Sequence, residues 1–210
     1  MKLPYSLRAN QSKIIDSIKL ALNDGNHLVL EAPTGSGKTF TSLAAALPFI
    51  EESDMKIVYC VRTNSQQKQV IHELQQFKKS GNEIRAVAIQ GREALCPQQK
   101  NDTELKKSNW SEKSKICKSL KLKSKLGESG CSFYSNLLRK SESLTKKWSS
   151  EILTAQEFSN KAEEEGICPY ELNKLMLKEA KVVIVPYVYF FDEFIRKYML
   201  GWMGISIDKV

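Results

Sequence analysis

No run of about 18 apolar residues occurs in this chain, so no segment suits a membrane-spanning helix. The opening, Met1-Lys2-Leu3-Pro4-Tyr5, lacks the apolar core of a signal peptide and leads into an amphipathic pattern. The expected location is therefore the cytoplasm, with no membrane partner. Internal repeats are absent. Five cysteines are an odd number in a chain without an export signal, which argues against a disulfide framework. Closely spaced C-x₂₋₄-C pairs, the usual mark of a zinc site, are missing as well. What remains is a chain of 210 residues, long enough for a full core and one to two domains.

The positive charge is unevenly placed. Between residues 97 and 150 there are thirteen Lys and Arg against five Asp and Glu, while the remainder is neutral. Such a block suits a polyanion partner, and equally a solvated, lysine-rich surface insert.

Periodicity predicts a helix over residues 7–23, with Ile14, Ile15, Ile18 and Leu22 on one face and Gly25 after its end. Strands are expected at residues 27–31, 56–62, 84–89 and 181–185. Helices are expected at 38–50, from Thr63 to near Gly81, at 170–180 and at 187–200. Thr63 with Gln66, and Thr154 with Glu157, read as capping boxes. The strand–helix alternation implies an α/β fold with a parallel sheet flanked by helices. It breaks at Gly91 and resumes after Cys168, so residues 92–168 read as a mostly helical, polar insertion between 1–91 and 169–210.

The segment Ala32-Pro33-Thr34-Gly35-Ser36-Gly37-Lys38-Thr39 lies between an expected strand and an expected helix. Glycines let successive N–H groups point at phosphate oxygens, and the following helix adds the positive end of its dipole. Lys38 suits the β- and γ-phosphates and Thr39 suits Mg²⁺. ATP is the expected ligand, held by Thr34, Gly35, Ser36, Gly37, Lys38 and Thr39. Upstream, Arg8 and Gln11 lie one turn apart. An amide can pair with both the N6 donor and N7 acceptor of adenine, although a lone Gln is ordinarily just a surface residue.

Cys96, Cys117, Cys131 and Cys168 bracket the insertion with gaps of 21, 14 and 37, while Cys60 sits in an apolar strand and is assigned to the core. Four thiolates suit zinc or a [4Fe–4S] cluster, and wide spacing with Pro97 and Pro169 after two of them favours the cluster.

These residues together resemble the XPD family of superfamily 2 DNA helicases, especially its archaeal members. The resemblance spans essentially the whole chain. It rests on the phosphate loop from Glu31, on Val61-Arg62-Thr63-Asn64-Ser65-Gln66, and on Gln90-Gly91-Arg92 leading to Leu95-Cys96. Cys168-Pro169-Tyr170 and Val185-Pro186-Tyr187 complete it. It implies a RecA-like motor domain with an inserted iron–sulfur domain held by Cys96, Cys117, Cys131 and Cys168. It implies an ATP-dependent helicase moving 5′→3′ on single-stranded and forked DNA, in DNA repair, working as a monomer. It gives DNA contacts to Arg62, Thr63, Arg92 and Tyr187, the first two through free N–H groups and a guanidinium, and a base-stacking or core role to Tyr189. A related iron–sulfur helicase of the DinG or FANCJ type is an alternative reading, with the compact insertion favouring XPD.

The family's Asp-Glu-Ala-His motif is missing. Asp192-Glu193 imitates it, but Phe190, Phe194, Ile195 and Met199 read as a helix through those residues. Ile205-Ser206-Ile207-Asp208-Lys209-Val210 reads as the lead-in to the strand bearing that motif. The chain is accordingly expected to be an N-terminal portion of a longer enzyme, or a truncated reading frame, with a non-catalytic DNA-binding module as the alternative.

Overall fold

The computed structural model describes residues 1–51, 53–101, 105 and 107–210. Helices α1 (Gln11–Asn23) and α2 (Lys38–Glu51) open the chain, followed by strand β1 (Ile57–Val61), helix α3 (Asn64–Lys79) and strand β2 (Ala86–Ala88). A helical stretch follows: α4 (Arg92–Leu95), α5 (Pro97–Asn101), α6 (Trp110–Lys125), α7 (Ser132–Trp148), α8 (Ala155–Glu164) and α9 (Pro169–Met176). Strand β3 (Val182–Pro186), helices α10 (Val188–Phe191) and α11 (Glu193–Met203), and a 3₁₀ turn at Ile207–Lys209 complete the chain.

The three strands are parallel, in the order β1-β3-β2. β3 therefore lies in the middle. Its Val182, Val183, Ile184 and Val185 are fully buried, as a strand covered on both faces requires. Side chains alternate across it. Val182 and Ile184 join a core with Leu43, Ile71, Leu74 and Phe77 from α2 and α3. Val183 and Val185 join a second core with Leu137, Trp148, Phe158 and Met199. The insertion expected from polarity thus lies against the sheet and shares its core. Its helices carry few apolar residues, but they carry them on one face.

Local signals explain most of the elements. Thr63 Oγ1 accepts from Gln66 N (3.2 Å) and Gln66 Oε1 accepts from Thr63 N (3.2 Å), closing the capping box of α3. Thr154 and Glu157 do the same for α8. Val70, Ile71, Leu74 and Phe77 recur at helical spacing on the buried side of α3. Gly25 and Gly166 have φ of 67°, the left-handed conformation that ends a helix.

Two expectations fail. Residues 27–31 form no strand; Val29 is 98 % exposed, and no described strand pairs with this segment. An apolar run becomes a strand only with a ladder partner. The helix expected over 187–200 breaks at Asp192, whose Oδ1 accepts from Ile195 N (2.9 Å) and starts α11 afresh.

Candidate nucleotide site and cysteine-lined cavity

The phosphate loop connects residues 27–31 to α2, and Lys38 and Thr39 begin that helix. Gly35 and Gly37 adopt φ of 80° and 84°, where a side chain would be strained. At Gly37 a Cβ would also come within 2.5 Å of Gln11 Nε2, so that amide would have to move aside. Lys38 Nζ donates to the carbonyls of Ala32 (2.8 Å) and Pro33 (2.9 Å), so its ammonium folds over the loop where a phosphate would sit. Ser36 Oγ is buried without a hydrogen-bond partner. An orphaned hydroxyl, left-handed glycines and a helix start together fit a phosphate ligand.

Arg8 and Gln11 lie against this loop. Gln11 is buried; its Nε2 donates to Ser36 O (3.0 Å) and its Oε1 accepts from Arg8 N (2.9 Å). Arg8 Nη1 donates to Gly35 O (3.3 Å). Both ends of the Gln11 amide are thus engaged with protein, and reading a base requires exchanging those bonds. Arg8, Gln11, Thr34, Lys38 and Thr39 line a cavity of about 670 Å³, ample for a nucleotide, whose far wall includes Cys60, Glu73 and Tyr187. Cys60, assigned to the core, is partly buried and packs against the second core with Val58, while also bordering this cavity; burial pushes its thiol up to about 11. Neither Asp192 nor Glu193 lines it.

Of the DNA-contact candidates, Arg62 and Thr63 are exposed at the start of α3. Their N–H groups are not free: both donate to Gln66 Oε1, at 2.9 Å and 3.2 Å. The capping glutamine has taken the donors that a phosphate was expected to use, so the Arg62 guanidinium and the next turn of α3 remain. Tyr187 is 49 % exposed and stands edge-on to Phe191 at 5.8 Å. Tyr189 is buried, its hydroxyl donating to Gln90 O (3.3 Å), which makes it a core residue.

Cys96, Cys117, Cys131 and Cys168 line one small cavity, although 72 residues of sequence separate the first from the last. Cys131 and Cys168 sit at the starts of α7 and α9, Cys96 follows α4, and Cys117 lies within α6. Cys60 takes no part. Arg92 and Lys121 line the same cavity. Burial raises the Cys117 thiol while these two cations oppose the rise. Burial also pushes Cys96 up, and Cys168 up to about 12. Among the described residues no three His, Cys, Asp or Glu side chains converge as a single-ion site would need. Four sulfurs around one space, with Arg92 and Lys121 beside them, are a donor set of the kind that sulfur-ligated metal groups use. Binding a metal would drive such thiols to thiolates.

Arg92 is half-buried. Its guanidinium lies 5.1 Å from the centre of the Tyr170 ring and donates to Ser114 Oγ (3.3 Å), and its Nε has no partner. Sequence reasoning missed Glu171, which ties this region together by accepting from Lys121 (2.7 Å) and Lys174 (3.1 Å). Burial alone would raise its carboxyl, but these lysines hold it below the usual range. A Glu with Lys three residues later was the available signal. The basic block runs along α6 and α7; Lys106 lies outside the described residues.

The sheet and the loop define an α/β protein of the phosphate-loop type with a cysteine-lined helical region packed against its sheet. Residues 59–207 match DEAD_2, and the chain belongs to that family, the XPD-type branch of superfamily 2 helicases. It is 26 % identical to the "Regulator of telomere elongation helicase 1 homolog" of Arabidopsis thaliana, over 96 % of this chain and 22 % of that protein. It is 27 % identical to the "General transcription and DNA repair factor IIH helicase subunit XPD/RAD3" of Saccharomyces cerevisiae, over 90 % of this chain and 26 % of that protein. A solved structure called "Truncated XPD" shares the fold, with a TM-score of 0.52 and 20 % identity over 93 % of this chain and 48 % of that one. The chain spans about a quarter or less of the length of these curated relatives. Among the described residues no helix is long and apolar enough to cross a membrane.

Proposed function

We propose that this chain is the nucleotide-binding and cluster-bearing part of an ATP-dependent DNA helicase, one that moves 5′→3′ on single-stranded and forked DNA in repair. The observation that carries the reading is the phosphate loop closed by Gln11 and Arg8 at the start of α2, beside a cavity of about 670 Å³. In this reading the loop N–H groups and Lys38 hold the phosphates of ATP and Thr39 ligates Mg²⁺. Gln11 and Arg8 face the nucleoside. Cys96, Cys117, Cys131 and Cys168 hold a [4Fe–4S] cluster, which supplies four iron–thiolate bonds joining α4, α6, α7 and α9. Arg62, Thr63 and Tyr187 meet the DNA strand, and Arg92 supports the cluster next to it. The boundaries that go with this reading are 1–91 and 169–210 for the motor domain and 92–168 for the cluster domain.

The test is direct. Fluorescent ATP should bind the 210-residue chain in the presence of Mg²⁺, and Lys38→Ala should weaken binding about tenfold or more, since it removes a charge-assisted phosphate contact. Unchanged binding in Lys38→Ala counts against the loop as the site.

A second reading, a cluster-bearing module that binds single-stranded DNA without turnover, is favoured by one observation. Asp192 is occupied as a helix cap and does not face the loop. On that reading the chain binds ATP without hydrolysing it. ATP turnover that disappears in Asp192→Asn or Glu193→Gln would reverse the assignment of those residues.

A further inference from the structure

Of the three tryptophans, two are packed. Trp148 is fully buried, and Trp202 is partly buried with its ring edge-on to Tyr170 at 6.4 Å. Trp110 is 73 % exposed. An indole carries a large apolar area, and leaving it in water forgoes the stabilisation its burial would bring. Its place is nevertheless fixed. Trp110 is the first residue of α6, and a capping box closes around it: Glu112 N donates to Asn109 Oδ1 (3.0 Å) and Asn109 N donates to Glu112 Oε2 (3.0 Å).

Helical spacing puts Trp110 on the side of α6 that carries Ser114, Cys117 and Lys121. Ser114 Oγ accepts from Arg92 Nη1 (3.3 Å), so the indole stands one turn beyond the point where Arg92 is anchored. Its surroundings are cationic. Within α6 six lysines stand against one glutamate. Lys113 and Lys121 pair with Glu93 and Glu171, while Lys115, Lys118, Lys123 and Lys125 are exposed. Phe191, Phe194 and Tyr198 are exposed as well, but in their stretch Asp192 and Glu193 balance Arg196 and Lys197, so charge favours no polyanion there. At Trp110 an aromatic face and a positive field occur together. That is the combination single-stranded nucleic acid uses, with phosphates on the cations and a base on the ring.

We propose that Trp110 stacks on a base of single-stranded DNA, with the exposed lysines of α6 on its phosphates. This rests on the reading of the chain as the DNA-binding part of a helicase, and it adds a base contact on the cysteine-bearing side of the molecule. Every base has a π-face, so the contact tolerates any sequence.

The experiment measures binding of two probes to the 210-residue protein purified without oxygen: labelled oligothymidylate, and a deoxyribose-phosphate oligomer of the same length without bases. Thermal melts and iron content control for folding. Trp110→Ala is expected to weaken oligothymidylate about tenfold, within the range of one base–aromatic stack, and to leave the base-free probe unchanged. The salt slope should also stay as it is, because no phosphate contact is lost. Trp110→Phe keeps a ring and should lose less. Lys118→Ala should weaken both probes and lower the slope. Oligothymidylate should quench the indole emission of the parent protein, and most of that quenching should be absent from Trp110→Phe, whose other two tryptophans are packed. If Trp110→Ala matches the parent on oligothymidylate while Lys118→Ala weakens both probes, stacking is overturned and the DNA reading stands. Equal loss of both probes in Trp110→Ala, or a lowered melting temperature, also overturns it, since the indole is then a packing residue of α6. If the parent binds neither probe at low salt, the DNA reading fails and the stacking proposal falls with it.

Discussion

On one face of the sheet, Ala86, Ala88, Val182 and Ile184 meet the apolar sides of α2 and α3. On the other, Val87, Ile89, Val183 and Val185 meet α7, α8, α9 and α11. The first draws on residues from Ile15 to Ala88, with Ile152, Val182 and Ile184. The second draws on residues from Tyr134 to Met203, and its outer layer includes Cys131 and Cys168. Only this second face continues into a cavity lined by four cysteines. Two kinds of cohesion follow: apolar packing alone on one side, and packing that sulfur ligation would complete on the other. On the proposed reading a nucleotide meets the first side at the start of α2, so what happens there need not depend on the second.

The largest expected effect tests that division. Protein purified without oxygen should be brown, with about four iron per chain, as a [4Fe–4S] centre requires. Cys96→Ser and Cys168→Ser should abolish the colour and the iron. Cys60→Ser should keep both, because Cys60 does not line the four-cysteine cavity. Loss of iron should loosen the helices of the second face, seen as lower helical circular dichroism, while ATP binding persists. Stoichiometric zinc with no iron would replace the cluster in this picture.

Trp148 and Phe77 set the two faces side by side. Each is fully buried, Trp148 edge-on to Phe158 at 5.5 Å and Phe77 stacked on Phe40. Truncating either to Ala should cost about 3–5 kcal/mol. If the shared strand β3 makes the faces one cooperative unit, urea unfolding of Trp148→Ala stays a single transition at a lower midpoint. Two separated transitions would show that the faces fold independently.

Lys56 binds the halves through its side chain. Buried just before β1, its Nζ donates to the carbonyls of Leu177 (3.0 Å), Lys178 (2.6 Å) and Met203 (3.1 Å), near the ends of α9 and α11. Burial lowers its pKa, yet three carbonyls hold the ammonium. Lys56→Met keeps the stem and leaves those acceptors buried without a donor, so a loss of about 1–3 kcal/mol is expected in the same unfolding assay. An unchanged midpoint would mean that water satisfies the carbonyls instead.

Much of the first face was legible in the sequence. Amphipathic spacing in α3, the Thr63–Gln66 box and Gly37 before Lys38 are local signals, and local physics decides them. The cysteine set was legible too, because four unpaired thiols in a polar stretch demand a reason. Three things were not. Residues 27–31 have strand composition, but pairing is a property of neighbours and no described strand flanks them. The insertion looked coreless because its apolar residues, such as Leu137, Leu144 and Trp148, are diluted by lysine, and only the helix places them on one side. The break at Asp192 was hidden because a capping Asp inside an apolar-periodic run reads as an exposed helical residue.

The smallest expected effect separates two arginines that look alike in sequence. Arg62 is exposed beside the capped start of α3. Arg92 is stacked on Tyr170, bonded to Ser114 and lines the cysteine cavity. If both meet a DNA strand, its affinity should fall with salt by a log–log slope of roughly −0.7 per phosphate neutralised. Arg62→Ala should then weaken single-stranded DNA binding a few-fold, reduce that slope by about one such increment, and leave the melting temperature unchanged. Arg92→Ala should weaken binding and also lower stability and iron content, because it removes a cation beside the sulfurs. The measurement is DNA affinity against salt, paired with thermal melts and iron content of both variants. Equal loss of stability in the two variants would place Arg62 in the packing of β1 and α3. A salt slope unchanged in Arg62→Ala would remove it from the DNA face and leave Tyr187 and the lysines of α6 and α7 to carry the contact.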